Sequence, residues 1–75
     1  MEINKFIKLF SEQFDETPAE MFQPETEFKE LEEWNSLTAL SVISMVDEEY
    51  EKRITGADLR NCKTIKDLFL FIQSI

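Results

Sequence analysis

A serine that follows an asparagine and precedes an apolar segment is the residue best placed to do chemistry in this sequence. Asn35 and Ser36 form this pair, and both residue types are good helix N-caps, so the pair marks a helix start. No base lies next to Ser36 in the sequence, so the chain itself would not activate its hydroxyl as a nucleophile. A second enzyme could modify it, because a helix N-terminus stabilises a phosphate. The pair alone leaves helix capping and an attachment point both open.

The chain lacks most of the residues that catalytic centres use. It contains no His and one Cys, which excludes a His general base, a His-ligated metal site and a Ser-His-Asp triad. The single Cys also excludes an intramolecular disulfide and a Cys-x-x-Cys site. Cys62 itself has two open interpretations, buried packing or a reactive thiol whose pKa Arg60 and Lys63 would lower. We expect no catalytic residue and no metal site, and therefore no enzyme.

The charge of the chain is strongly acidic and unevenly distributed. Eight Lys and Arg against sixteen Asp and Glu give a net charge of −8. Nucleic acids and anionic membranes need basic surfaces, so neither is expected as a partner. Thirteen acids and one base lie in residues 12–51, whereas residues 52–75 carry five bases and two acids. A basic protein partner is expected to dock on the central part of the chain by electrostatic steering.

Length and hydropathy are those of one small soluble domain. The 75 residues are 43% hydrophobic and 32% charged, and residues 1–75 are expected to form a single domain with one modest core. No apolar run reaches the roughly 20 residues of a membrane span. Met1 is followed by an acid and a mixed amphipathic stretch rather than by a signal peptide. A cytoplasmic location is therefore expected, and the chain is also expected to be a monomer.

The elements that must position Ser36 are predicted to be helices joined by loops. One apolar stripe at helical spacing marks the first helix, and its members are Ile3, Phe6, Ile7, Phe10 and Phe14. Residues 15–34 contain two prolines and no such period, which predicts a long loop. Large apolar residues are expected to pin this loop to the core, namely Phe22, Phe28, Leu31 and Trp34, with Met21 as a further candidate.

The second helix is predicted to begin at Asn35 and Ser36 and to end near Tyr50 or Glu51. If Asn35 is the cap, the Ser36 side chain is left free. A stripe at helical spacing is expected to face the core, comprising Ala39, Val42, Ile43, Val46 and Tyr50. The other residues face elsewhere and form an outward surface, comprising Leu37, Leu40, Ser41, Ser44, Asp47 and Glu48.

Two capping patterns predict the remaining helices. Thr55 with Asp58 would start a short third helix, and Thr64 with Asp67 would start a fourth that runs to the end. The core positions of the fourth helix are Ile65, Leu68, Phe69, Ile72 and Ile75. The predicted fold is all-α, a small four-helix bundle of three long helices and one short helix. Its long loop lies between the first and second helices.

The sequence around Ser36 resembles the acyl carrier protein family. That family opens its second helix with an Asp-Ser-Leu signature, which Asn35-Ser36-Leu37 matches here. The surroundings agree in length, acidity and helix order. They also agree in Phe28 ahead of the serine, in the acidic run Asp47-Glu48-Glu49, and in Arg53-Ile54-Thr55 before a short helix. The resemblance covers nearly all 75 residues.

The resemblance implies a carrier that is not itself an enzyme. A phosphopantetheinyl transferase would use Mg²⁺ and coenzyme A to attach 4′-phosphopantetheine to Ser36, with Asn35 and Leu37 completing the signature. The thiol of this arm would hold acyl or aminoacyl intermediates as thioesters for fatty acid, polyketide or related biosynthesis. The other implied partners are acyl-transferring or acyl-activating enzymes with basic docking patches.

Docking of these partners is expected on the outer side of the second helix. Leu37 and Leu40 are the predicted apolar anchors. The predicted polar contacts are Asp47, Glu48 and Glu51, with Ser41 and Ser44 between the two groups. Exposed ion pairs are each worth about 0–1 kcal/mol, so the acids would mainly steer and orient the partner. Binding should therefore weaken as salt rises.

Three features depart from the family pattern. Asn35 replaces the acid of the signature; it caps a helix as well as Asp does, but it lacks the charge that the transferase contacts. The first half of the second helix is less acidic than is typical of the family, because Thr38, Ser41 and Ser44 carry no charge. Residues 32–34 stand where many members have a Gly-containing turn. The features suggest a specialised carrier. They also leave an alternative open, a carrier-like unmodified helical adaptor that binds a basic protein partner through the acidic second helix.

Overall fold

The computed structural model describes residues 2–75 and consists of helices joined by loops. The four α-helices are α1 (Ile3–Ser11), α2 (Ser36–Tyr50), α3 (Gly56–Asn61) and α4 (Ile65–Ser74). Helix α1 packs against α2 and α4, and α3 packs against α2. The prediction of an all-α bundle with three long helices and one short helix is confirmed. Among residues 2–75, no helix has the length and apolar character that crossing a membrane requires.

The helix starts follow the predicted capping patterns. The Thr55 hydroxyl accepts a hydrogen bond from the Asp58 N–H at 3.2 Å, and the Asp58 carboxylate accepts one from the Thr55 N–H at 2.8 Å. Thr64 and Asp67 make the same reciprocal pair, with both distances 3.1 Å. Each pair satisfies N–H groups that a helix start would otherwise leave without partners. The two capping boxes therefore fix where α3 and α4 begin.

The core is dominated by phenylalanine rings, and Phe10 lies at its centre. Phe10 is fully buried. Its ring centroid lies 5.5 Å from those of Phe14 and Phe28 and 6.1 Å from those of Phe6 and Phe22. Aromatic pairs at such distances add stability beyond that of the apolar area they bury. Phe10 thus joins α1 to the long segment between α1 and α2.

Several core predictions need correction. Helix α1 ends at Ser11, and Phe14 lies beyond it although its side chain is buried. The Gln13 and Phe14 N–H groups donate to the carbonyls three residues earlier, so a tighter turn keeps Phe14 facing the core. Ile75 is 47% exposed because it follows the last residue of α4 and leaves the helical stripe. In α2, Met45 is buried although the predicted stripe omitted it.

The long segment between α1 and α2 is held in place at several points. It contains two short 3-10 helices, Ala19–Met21 and Phe28–Glu30. The carbonyls of Pro24 and Thr26 accept hydrogen bonds from the first N–H groups of α4, at 2.9 and 3.1 Å. As predicted, Phe22 and Phe28 are buried, and Leu31 and Trp34 pack against the core. Met21 does not join them and is 50% exposed.

Candidate functional site

Ser36 is the first residue of α2, and its side chain is exposed. Asn35 is the N-cap, with an extended backbone, and its Oδ1 accepts hydrogen bonds from the N–H groups of Leu37 at 2.9 Å and Thr38 at 3.0 Å. The Ser36 side chain takes no part in this cap. The prediction that Asn35 caps the helix and leaves Ser36 free is therefore confirmed.

The cap leads to a stability prediction for Asn35. Asn35→Ala should lower the free energy of unfolding by about 1 kcal/mol, because two N–H groups of the first turn lose their acceptor. Asn35→Asp should retain the cap and stay within about 0.5 kcal/mol of the natural chain. Urea unfolding followed by circular dichroism measures both values. Equal losses in the two variants would show that the bonds to Oδ1 do not stabilise the helix start.

Glu33 ties the beginning of the long segment to the start of α2. Its carboxylate accepts hydrogen bonds from the N–H groups of Asp15 at 3.0 Å, Glu16 at 2.9 Å and Thr17 at 2.6 Å, and from the Thr17 hydroxyl. Its carbonyl accepts from the Thr38 hydroxyl at 2.8 Å. This acid therefore orients the approach to Ser36. Sequence reasoning did not single it out, because nothing local distinguishes it from the neighbouring glutamates.

These hydrogen bonds make the contribution of Glu33 dependent on pH. The Thr17 hydroxyl, assisted by the three backbone N–H groups, holds the pKa of Glu33 below its usual value, although desolvation opposes the shift. A carboxyl group whose pKa is lower in the folded state stabilises the fold above its unfolded pKa. That stabilisation is lost as the pH falls through the folded pKa.

Glu33→Gln should therefore lower the urea midpoint at neutral pH, and its difference from the natural chain should narrow below about pH 4. Chemical unfolding at a series of pH values measures this difference. Glu32→Gln is the matched control, since it removes one charge from the adjacent exposed residue. A difference between Glu33→Gln and the natural chain that stays constant down to acid pH would contradict the assignment.

A groove between α1 and α2, the α1–α2 groove, collects most of the predicted docking residues. It has a volume of about 420 Å³ and is lined by Leu9, Glu12, Gln13, Leu37, Leu40, Ser41, Ser44, Met45, Glu48 and Glu49. Five of the seven predicted docking residues are among them. Leu37 and Leu40 are 76% and 58% exposed, so two large apolar side chains meet solvent three residues apart on one helix. The groove therefore combines two exposed apolar side chains with three acids.

The lining of the α1–α2 groove differs from the predicted docking set in two respects. Asp47 on α2 and Glu51, which directly follows α2, are exposed but do not line the groove. Leu9 of α1 and Glu12, which directly follows α1, line the groove although the sequence did not indicate them. They lie some thirty residues away along the chain, and only the packing of α1 on α2 brings them to this surface.

A smaller groove, the Ser36 groove, lies on another side of the start of α2. Its volume is about 250 Å³, and its lining is Lys29, Trp34, Asn35, Ser36, Ala39, Gly56, Leu59 and Arg60. The Trp34 ring stacks on Phe14 at 6.4 Å and meets the edge of Phe28 at 5.0 Å, which confirms that Trp34 anchors the loop. The same ring also forms part of the groove wall.

Cys62 belongs to the core rather than to an exposed reactive site. Cys62 is buried, and this burial raises the pKa of its thiol, with the nearby Asp67 and Asp58 carboxylates acting in the same direction. The packing interpretation is confirmed, and the interpretation as a thiol of lowered pKa is wrong. Within residues 2–75, no cluster of three or more acids or cysteines is placed to hold a metal ion.

The arrangement around Ser36 is suited to a phosphate ester. An exposed hydroxyl lies at the N-terminus of a 15-residue helix, where the helix dipole stabilises negative charge. Two bases, Lys29 and Arg60, line the adjoining groove. A family model described as PP-binding, phosphopantetheine attachment site, matches residues 4–72. No curated protein and no solved structure matches the chain.

Proposed function

Because the chain belongs to the phosphopantetheine attachment site family, we propose that it is a carrier whose Ser36 bears the covalent 4′-phosphopantetheine. When bound, this group supplies a thiol that holds a carried group as a thioester. One observation supports the choice of Ser36 above all. Its exposed side chain lies at the start of α2 and outside the cap, so it can react without any change in the fold.

In the proposed loading reaction, Ser36 is the nucleophile and a transferase supplies the rest. Its Oγ forms a bond to the phosphorus that carries pantetheine in coenzyme A. The bond from that phosphorus to adenosine bisphosphate breaks, and the hydroxyl proton passes to a base of the transferase. The N-terminus of α2 stabilises the negative charge of the resulting phosphodiester. The chain contributes a positioned hydroxyl and the favourable electric field of the helix N-terminus. The catalytic residues belong to the transferase.

We further propose the setting in which the carrier works. Its cargo would be acyl or aminoacyl groups of fatty acid, polyketide or related biosynthesis, handled in the cytoplasm by acyl-transferring or acyl-activating enzymes. Residues 1–75 would act as one monomeric domain. Domains of this family are typically carriers without enzymatic activity of their own, which supports the same role here.

The α1–α2 groove is the proposed docking surface for these enzymes. An apolar side chain of the partner would enter beside Leu37 and Leu40, and basic side chains would meet Glu12, Glu48 and Glu49. Exposed charges of this kind raise the association rate and orient the partner more than they add affinity. Binding of a partner should accordingly slow as the salt concentration rises.

Intact-mass spectrometry tests the proposed function directly. The apo chain is incubated with a promiscuous phosphopantetheinyl transferase, Mg²⁺ and coenzyme A, and the product is digested to locate the added mass. A gain of one phosphopantetheine on the peptide that contains Ser36 is the expected result. No gain with several transferases would overturn the proposal and favour the unmodified helical adaptor, which would bind a basic partner through α2.

The same assay addresses the unusual residue before the serine. Asn35→Asp should speed loading by a transferase whose basic site contacts the signature acid, because the substitution adds a charge and retains the cap. The initial rates of mass gain for Asn35→Asp and the natural chain are compared at low salt. Equal rates would show that the charge at this position does not limit modification.

A further inference from the structure

The surface grooves of this acidic chain differ in the sign of their charge. The α1–α2 groove is lined by three acids and no base. A groove formed by residues 16–21 and 30–33 is lined by four acids, Glu16, Glu30, Glu32 and Glu33, and no base. The Ser36 groove is lined by Lys29 and Arg60 and by no acid. Lys29 is also the one base among thirteen acids in residues 12–51.

A hydrogen bond holds Lys29 at the Ser36 groove, and the exposed Arg60 side chain lies beside it. Lys29 Nζ donates to the Arg60 carbonyl at 2.6 Å, which fixes the lysine across the last turn of α3. The Arg60 side chain folds back toward the start of α3. Its Nη1 lies 3.4 Å from the place that a Cβ atom on Gly56 would occupy. The absence of a side chain at Gly56 keeps this wall of the groove open.

We propose that the Ser36 groove holds the near end of the phosphopantetheine arm against the protein between docking events. Lys29 and Arg60 pair with the phosphodiester, and Trp34 and Leu59 give its apolar part a surface to contact. Bases paired with phosphate form charge-assisted hydrogen bonds, which are stronger than neutral ones. This inference rests on the proposed function, since Ser36 must bear the arm.

The size of the groove limits what it can hold. Its volume of about 250 Å³ lies below the 300–1,000 Å³ that is typical of small-molecule pockets. A groove of this size suits the part of the arm next to the phosphate, and we place the carried group outside it. The thiol and its cargo remain outside, where a docked enzyme reaches them.

Trp34 offers a direct readout, because it is the one tryptophan of the chain. The natural chain is loaded by a transferase, and mass spectrometry verifies that every molecule bears the arm. The emission of Trp34 and its quenching by acrylamide, a neutral quencher, are then compared between apo and loaded forms. We expect a shifted emission and weaker quenching in the loaded form. Both differences should shrink in about 1 M salt, where the Debye length is about 3 Å.

Two sets of variants separate charge from shape. In Arg60→Gln, alone or combined with Lys29→Gln, the emission and quenching of Trp34 should no longer differ between the apo and loaded forms. In Lys66→Gln they should still differ. Lys66 is the matched control, since it is exposed on α4 and outside the groove.

Gly56→Leu fills the groove without changing its charge, so the difference in Trp34 emission and quenching between apo and loaded forms should also disappear in this variant. In Gly56→Ala the difference should remain. Thermal unfolding of each variant verifies that it is folded.

The outcomes distinguish the two proposals. A fully loaded natural chain whose Trp34 emission and quenching equal those of the apo form would overturn the groove assignment and leave the proposed function standing. The groove assignment would also be wrong if Arg60→Gln and Lys66→Gln behave alike. A natural chain that gains no mass with any transferase would overturn both proposals together.

Discussion

Ser36→Ala should abolish attachment of 4′-phosphopantetheine and leave the fold unchanged. The substitution removes the one hydroxyl that the proposal makes the acceptor, so the mass gain should disappear rather than slow. The side chain is exposed and outside the Asn35 cap, so the free energy of unfolding should change by no more than about 0.5 kcal/mol. Intact mass after incubation with the transferase and a urea unfolding curve measure the two effects.

Ser41 and Ser44 supply matched controls for this experiment. Both are serines on α2 that lie outside the Ser36 groove. Ser41→Ala and Ser44→Ala retain Ser36, so each should reach the full phosphopantetheine mass on long incubation, even where the loss of a docking contact slows the gain. A Ser36→Ala chain that still gains this mass would show that another residue accepts the arm. A Ser36→Ala chain that fails to fold would contradict the structural account of the cap.

Phe10→Ala should destabilise the fold more than any of the polar or surface substitutions proposed for this chain. Phe10 is fully buried and contacts four other phenylalanine rings on α1 and the long segment. Removing a buried phenylalanine side chain costs about 3–5 kcal/mol. A chain of this length has a total stability of about 4–11 kcal/mol. The variant should therefore unfold at a much lower urea concentration. For a natural chain with a stability of about 4 kcal/mol, a measurable fraction of the variant would be unfolded without urea.

The control for Phe10→Ala is a large apolar residue outside the core. Leu70 lies on α4 and is 49% exposed, so Leu70→Ala should change the free energy of unfolding by less than about 1 kcal/mol. Circular dichroism in a urea series gives both values. Similar midpoints for the two variants would show that the phenylalanine cluster does not hold α1 to the long segment.

Local rules explain the features that the sequence predicted well. The capping boxes of Thr55 and Thr64 and the cap of Asn35 depend on residues within four positions of one another. The outward surface of α2 follows from the helical period. These signals suffice for the helix order, for the exposed Ser36 and for much of the lining of the α1–α2 groove, because each depends on a short stretch of the sequence.

The features that were missed depend on residues far apart in the sequence. The Glu33 carboxylate reaches back to residues 15–17, and Lys29 reaches forward to Arg60. No local pattern predicts which of many acids or bases will make such a contact. Phe14 shows a different limit, since a periodic stripe does not reveal that the backbone changes to a tighter turn after Ser11.

The position of Ser36 between two grooves has a consequence for competition among carrier molecules. A partner that covers the α1–α2 groove would touch Leu37 and Leu40, whereas the arm would rest beside Asn35 and Ala39. On the surface of the carrier the two would share almost no contacts, so the coupling free energy between them would come from the contacts of the arm and its cargo inside the enzyme. Apo chains would still dock through the α1–α2 groove and would compete with loaded ones. The fraction of chains that the transferase has modified would thus set how much of each partner enzyme is left free for productive encounters.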